Sequence, residues 1–306
     1  MTQEAIQVLT SVKGFTKLDP SSIVTTRLGG LTNRNYEINC PIGHYVLRIA
    51  GDGTGDYIDR KTELHNASVA TRAGVNAEMV HFDVDTGTML CRYIEGAITM
   101  DIERFRDSGC IERAGRSFRL MHDCGELFTG QFELFDQIDQ YLKVVSDLGA
   151  DLPEGYADVQ KDAEKVRAAL SKHELPLSPC HCDPMVENCL DDGKHMYIID
   201  FEYAGNNDPM WDLGDLSVEG DFNDEQDLTL LHAYFGAEPS TYDHGRMVMY
   251  KAMCDLLWTL WGVVQHANDN PAEDFWAYAT GRLERCAKLM ATSNFPRHLT
   301  AVKEGP

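Results

Sequence analysis

The sequence predicts an α+β protein of two lobes, a small N-terminal antiparallel sheet with one inserted helix and a larger, mainly helical C-terminal lobe. Three observations predict it. Through about residue 94, short β-branched and aromatic runs alternate with Gly, Pro, Asn and Asp turn signals. From Gly96 onward, apolar residues recur at helical spacing. Within that helical half only residues 179–190 and 196–203 read as extended, and they hold most of the unusual polar side chains. The lobes therefore divide as 1–94 and 95–306, and 306 residues suffice for one large two-lobed unit around a cleft.

The elements follow in order. Residues 22–28, 35–39 and 45–49 read as strands, separated by the Gly29-Gly30 pair and the Pro41-Ile42-Gly43 turn. A helical period over 59–72 ends at Gly74, and strands at 77–83 and 88–94 flank the turn at Asp85 and Gly87. Helices are expected at 102–123, 132–148, 159–173 and 224–235, and in one long segment from 242 to 291.

Composition bounds the function. Hydrophobic residues at 43% supply a core, which excludes disordered and fibrous classes. Lys+Arg 27 against Asp+Glu 49 gives a net charge of -22, a field that repels nucleic-acid backbones and anionic membranes and favours small cations. The N-terminus lacks the basic and apolar pattern of a signal peptide, and no uninterrupted apolar run approaches about 20 residues, so the cytoplasm is the expected location. Nine cysteines without a C-x-x-C pair read as reduced thiols. Cys180-His181-Cys182 is a poor zinc clip, because adjacent side chains on an extended segment diverge and no second pair matches them.

The run HCDPMVEN brings His181, Asp183, Glu187 and Asn188 together, and the strand-like MYIID ends in Asp200, with Glu202 two residues on. A carboxylate at the end of a buried strand needs a strong partner, and a divalent cation suits it. Asn188 with Asp200 offers the hard oxygen ligands that magnesium takes alongside substrate phosphates. An N-capping Asp on a surface turn is the plainer alternative. In YVLRIAG, alternation places Arg48 as one cation on an otherwise apolar strand face, where Glu63 on the next helix can pair with it; an edge-strand Arg in water is the other reading. Gly29 and Gly30, followed by Thr32 and Asn33, suit a loop whose N–H groups approach phosphates, although hairpins also use glycine freely.

The order Gly-Gly-x-Thr-Asn, strand Arg, helix Glu, H-x-D-x-x-x-x-N, then D-F-E-Y-A with Asn207 and Asp212, resembles the choline/ethanolamine kinases. These belong to the wider aminoglycoside-phosphotransferase group with a protein-kinase-like fold, and the resemblance runs from about Leu28 to about Gln265. It implies ATP and Mg2+ as cofactors, Asp183 as the base that orients the substrate hydroxyl, and Asn188 and Asp200 as metal ligands, with Glu202 behind them or on a second metal. It implies that Arg48, braced by Glu63, reaches phosphate, and that residues 91–95, including Arg92 and Tyr93, form the interlobe hinge whose backbone holds adenine. His181 and Asp212 resemble residues that brace the catalytic loop from beneath. Cys182 and Asp215 depart from the asparagines usual or frequent at those positions in eukaryotic choline kinases.

In DLLWTLWGVVQHA, Asp255, Trp258, Gly262 and Gln265 share one helical side with Trp261 at its margin, opposite Leu256, Leu260 and Val263. Aromatic faces beside a carboxylate suit a quaternary ammonium, and the alternative is a core helix apolar all round. The W-x-x-W-x-x-x-Q pattern also resembles the choline-pocket helix of the family, with Tyr203 and Glu219 at further positions near that pocket. The expected activity is phosphoryl transfer from ATP to choline. Ethanolamine, thiamine or an aminoglycoside are alternative acceptors, and a metal-dependent phosphohydrolase or a non-catalytic binding protein are alternatives of another class.

Overall fold

A computed structural model describes residues 2–30, 33–51, 53–54, 58–174 and 177–306. Helix α1 (Thr2–Ser11) precedes strands β1 (Val24–Arg27), β2 (Arg34–Cys40) and β3 (Gly43–Ile49), then helix α2 (Arg60–Arg72) and strands β4 (Met79–Phe82) and β5 (Met89–Arg92). The five strands form one antiparallel sheet in the order β1-β2-β3-β5-β4. Its pleat separates two sets of side chains. Tyr36, Ile38, Tyr45, Leu47, Ile49 and Leu90 are buried with Ala5, Leu9 and Val12 of the α1 region, and Arg48 points to the opposite face. Helix α1 is an addition to the expected elements, although Ala5, Leu9 and Val12 have helical spacing. It covers a sheet face that would otherwise be bare.

Asp59 caps α2, its carboxylate accepting from Lys61 and Thr62 N–H at 2.9 and 3.3 Å. Position in the sequence assigns this helix to the first lobe. Its packing belongs to the second: Ala67, Val69 and Ala70 join the large core with Phe105, Ile111 and Phe118. Asn66 fastens it there, donating to the Ala204 carbonyl at 2.7 Å and accepting from Thr129 N–H at 2.8 Å.

The second lobe holds β6 (Ile98–Thr99), α3 (Ser108–His122), α4 (Leu134–Leu148), α5 (Tyr156–Leu170), β7 (Ser178–Cys180), β8 (Cys189–Asp191), β9 (Met196–Ile198), β10 (Gly205–Asn207), α6 (Pro209–Glu219), α7 (Asp224–Phe235), α8 (Thr241–Ala267), α9 (Phe275–Met290) and α10 (Phe295–Glu304). Strands β6-β8-β9 form one small sheet and β10-β7 another. The helix expected from 102 starts at Ser108 behind the Asp107 cap. The long segment expected from 242 to 291 divides into α8 and α9, because Asn268, Asp269 and Asn270 with Pro271 end the first helix. Helix α6 is hidden from sequence patterning for a physical reason. Residues 209–218 are all buried, so no polar face alternates with an apolar one.

By length and composition α8 could cross a membrane, but 83% of its most apolar window is buried inside the protein. It also carries Arg246, Lys251 and Asp255, each ion-paired. It is the central core helix. At Gly214 α6 crosses α8 closely, where a Cβ would lie 2.9 Å from the Met247 carbonyl oxygen, and this approach sets the α6 acids against α8. Leu9→Ala is expected to destabilise the protein by about 2–5 kcal/mol in urea unfolding. Unchanged stability would show that α1 does not pack on the sheet.

Candidate active site

The loop after β7 carries His181, Cys182 and Asp183. Cys182 has φ 68°, a left-handed conformation that costs a non-glycine residue about 1–2 kcal/mol, so the loop must be held. Asp212, in the first turn of α6, holds it by accepting from His181 N–H at 2.7 Å and Cys182 N–H at 2.9 Å. Trp211 donates from Nε1 to the Cys182 carbonyl at 3.2 Å, and His122 Nε2 lies 3.0 Å from Asp212. His181 links two segments: its Nδ1 accepts from Asp183 N–H at 3.3 Å, and its Nε2 lies 2.8 Å from the Ile199 carbonyl. Burial pushes its imidazole below the usual range, in keeping with a neutral ring that donates only from Nε2.

Asn188 completes the convergence. Its side chain donates to the Asp183 carbonyl at 3.3 Å, and its own carbonyl accepts from Ile199 N–H at 2.9 Å, beside Asp200. Asp200 also adopts a left-handed backbone, φ 71°. Burial, then Glu219 and Asp200, push the Asp183 carboxyl well above the usual range. Burial and then Glu202 push Asp200 up to about 7, against the opposing pull of Arg48. The Asp200 side chain is nevertheless 35% exposed and opens to the cleft. Crowded carboxyls with an amide oxygen fit the donor set of a hard divalent cation. Glu187 stays exposed.

Across the cleft Arg48 pairs with Glu63 and lies 3.4 Å from both Asp200 and Glu202. Arg60, which sequence reasoning missed, donates to Glu63 at 2.7 Å and to Glu202 at 2.8 Å. Its signal was its place three residues before Glu63, in the first turn of a predicted helix. Asn33 Nδ2 donates to the same Glu202 oxygen at 3.0 Å, and Asn33 Oδ1 accepts from Gly51 N–H at 3.2 Å. Glu202 is thus a tie between lobes, and Oε1, the oxygen it shares among these donors, is already engaged. Gly30 has φ 132°, and a Cβ there would meet the Asn33 carbonyl oxygen at 2.6 Å; Gly29 precedes it, accepting from Asn35 at 3.1 Å. Thr32 lies outside the described residues.

At the expected hinge, the Arg92 side chain lies on the outer side of the sheet, which leaves the backbone there as the part that can face the cleft. Register pairs Arg92 with Tyr45, on the sheet face opposite Arg48, and its guanidinium donates to the Tyr45 hydroxyl at 2.9 Å. The Tyr93 ring stacks on His44 at 3.8 Å, and its N–H donates to the His44 carbonyl at 3.1 Å.

On α8 the partly exposed stripe is Trp258, Trp261 and Gln265. The two indoles meet edge to face at 6.2 Å, and Trp261 also meets Phe275 at 5.3 Å and Tyr278 at 5.5 Å. Gln265 accepts from Asn270 at 2.8 Å. Asp255 does not join this stripe. It is 1% exposed and holds Arg285 at 2.6 Å and Arg282 at 3.3 Å, because α9 packs its basic face on that side of α8. Glu219 pairs with Arg282 at 2.6 Å, and Tyr203 is exposed. Phe275, Tyr278 and Arg282 of α9 were missed; their spacing of three and four residues on one helix was the available signal.

The model of the phosphotransferase enzyme family matches residues 23–248. A choline/ethanolamine kinase family protein from Mesorhizobium loti is 50% identical, with 100% of both chains covered and a TM-score of 0.92. The chain belongs to the phosphotransferase enzyme family, in its choline/ethanolamine kinase group. Choline kinase LicA from Streptococcus pneumoniae is 26% identical over 93% of this chain and 98% of its own, with a TM-score of 0.76. A structure of LicA in complex with AMP is 25% identical over 94% and 97%, with a TM-score of 0.74. This member of the family is an alcohol-directed phosphotransferase, a small-molecule kinase with the kinase-like fold expected from its sequence.

The carboxyls of this phosphotransferase act on its stability. Asp200 ionises less readily folded than unfolded, so it imposes a penalty that is absent below about pH 4 and grows as pH rises to about 7. Asp200→Asn is expected to raise the melting temperature of the divalent-free enzyme by about 2–4 °C at pH 8, with the gain vanishing near pH 4. Calorimetry across that range checks it. A lower midpoint at pH 8 would mean that the pairing with Arg48 outweighs the repulsion.

Proposed function

We propose that this kinase transfers the γ-phosphoryl group of MgATP to the hydroxyl of choline, giving phosphocholine and ADP. The observation that carries the reading is the position of Asp183. The Asn188 side chain donates to its carbonyl at 3.3 Å, and its buried carboxyl feels the charges of Glu219, Asp200 and Arg282, so it lies within reach of both the candidate cation ligands and the acids of the acceptor side. Asn188 and Asp200 are the residues that would hold Mg2+, which would neutralise phosphate charge when bound. Arg48, fixed by Glu63, presents its guanidinium to the phosphates, and Gly29, Gly30 and Asn33 line the loop that approaches them. The backbone at 91–95 faces adenine, and the likeness to LicA, which has been crystallised in complex with AMP, supports nucleotide binding as such.

Asp183 aligns the choline hydroxyl for in-line attack on the γ-phosphorus. As the new O–P bond forms, the bond to the β,γ-bridging oxygen breaks, and the hydroxyl proton passes to the Asp183 carboxylate. Its burial makes that carboxylate a stronger proton acceptor than one in water. Trp258 and Trp261 offer ring faces to the quaternary ammonium. The choline assignment draws on the likeness to the choline kinase LicA as well as on this geometry.

ADP release with MgATP across choline, ethanolamine, thiamine and an aminoglycoside tests the acceptor. Choline is expected to give the highest kcat/KM, and a higher value for another acceptor would replace it. Asp183→Asn is expected to lower kcat at least about 100-fold while the protein remains folded. Trp258→Ala is expected to raise the choline KM about tenfold with the ATP KM unchanged; equal effects on both would remove Trp258 from the acceptor site.

A further inference from the structure

The charges around the acceptor side do not cancel. Glu219 is matched by Arg282 at 2.6 Å, and Asp255 by Arg285 at 2.6 Å with Arg282 at 3.3 Å. Two carboxylates and two guanidiniums neutralise one another there. Asp215 is left over. It stands one helical turn before Glu219 on α6 and is 1% exposed. Oδ1 accepts from the Cys254 thiol at 3.2 Å, whereas Oδ2 is buried without a hydrogen-bond partner.

The location is specific. One ligand-type atom each from Asp215, Glu219 and Cys254 lies within 4.8 Å of the others. Cys254 is one turn before Trp258 on α8, so the unmatched carboxyl sits against the helix face that bears the indole. Burial first, then Glu219 and Asp183, push its pKa well above the usual range, with Arg282 opposing. The groups facing it are Glu219 from α6, Cys254 from α8, Arg282 from α9 and Asp183 from the catalytic loop, and the one cation among them is already shared by Glu219 and Asp255. A carboxyl left short of a partner in a low-dielectric wall stays protonated in the empty protein, and a ligand cation arriving beside it favours the ionised form.

We infer that Asp215 is a specificity-determining residue of the acceptor site, selecting a cationic alcohol over a neutral one by offering, behind the aromatic stripe, a carboxyl without a counter-charge that ionises against a bound cation. The inference rests on the amino-alcohol kinase reading above. Because Oδ2 is sealed, Asp215 acts across the wall and does not touch the acceptor. Once ionised against a bound cation, it exerts a field that is weakly screened there, unlike that of a surface charge.

The test compares choline with its uncharged isostere, 3,3-dimethylbutan-1-ol, as acceptors for MgATP in the wild-type protein and in Asp215→Asn. The ratio of the two kcat/KM values cancels any difference in folded fraction. Wild type is expected to prefer choline, and Asp215→Asn to reduce that preference about tenfold, equivalent to about 1.4 kcal/mol, with the ATP KM unchanged. Asp215→Ser, also uncharged, is expected to shift the ratio in the same direction and serves if the amide variant is insoluble. A wild-type preference retained in both variants overturns the inference and leaves the kinase reading standing. A wild-type protein that phosphorylates neither alcohol, or both equally well, overturns the cationic-acceptor reading and this inference together.

Discussion

Two guanidiniums set among three carboxylates join the lobes, and the geometry of the cleft follows from them. Arg48 and Arg60 are 4% and 7% exposed, and Glu63, Glu202 and Asp200 surround them. Charges so far from water are tolerated only when each finds its partners, so the strand, the helix and the loop that carry them have few alternative arrangements. This explains the double allegiance of α2. Its apolar side packs into the large lobe, while Glu63 and Arg60 reach the sheet and the loop after β9.

The loop after β7 is held by a different device. Left-handed backbone at Cys182 and Asp200 turns consecutive side chains in directions an extended strand does not allow, at a cost offset by the Asp212 carboxylate, the Trp211 indole and the neutral His181 ring. The result is a gathering of Asp183, Asn188 and Asp200 whose like charges oppose one another in the absence of a cation. A site of this kind trades stability of the empty protein for readiness to take up charge of the opposite sign.

On the proposed acceptor side, aromatic faces and acids occupy separate layers. Trp258 and Trp261 are partly exposed, whereas Asp255 is buried and neutralised by α9. Helical spacing placed the carboxylate and the indoles on one side of α8, and the packing of α9 against that side divided them. Exposure, and not position on the helix, decides which of these residues can meet a ligand.

Spacing and composition were enough to specify the two-lobed α+β class, most strands of the sheet, and the groups whose place depends on near neighbours: the helix that starts near Asp59, Gly30, the H-x-D-x-x-x-x-N run and the carboxylate just past β9. These were legible because short-range spacing and backbone preference encode them. Packing in three dimensions settled that α1 covers the sheet, that fully buried α6 is a helix, that Arg92 faces away from Arg48, and that Arg60, Asp255 and Asp215 have the partners or the lack of partners they do. Those outcomes depend on groups distant in the chain. A titratable side chain carries no mark in sequence of whether folding brings it a counter-charge, and that counter-charge is what separates an anchor from a ligand.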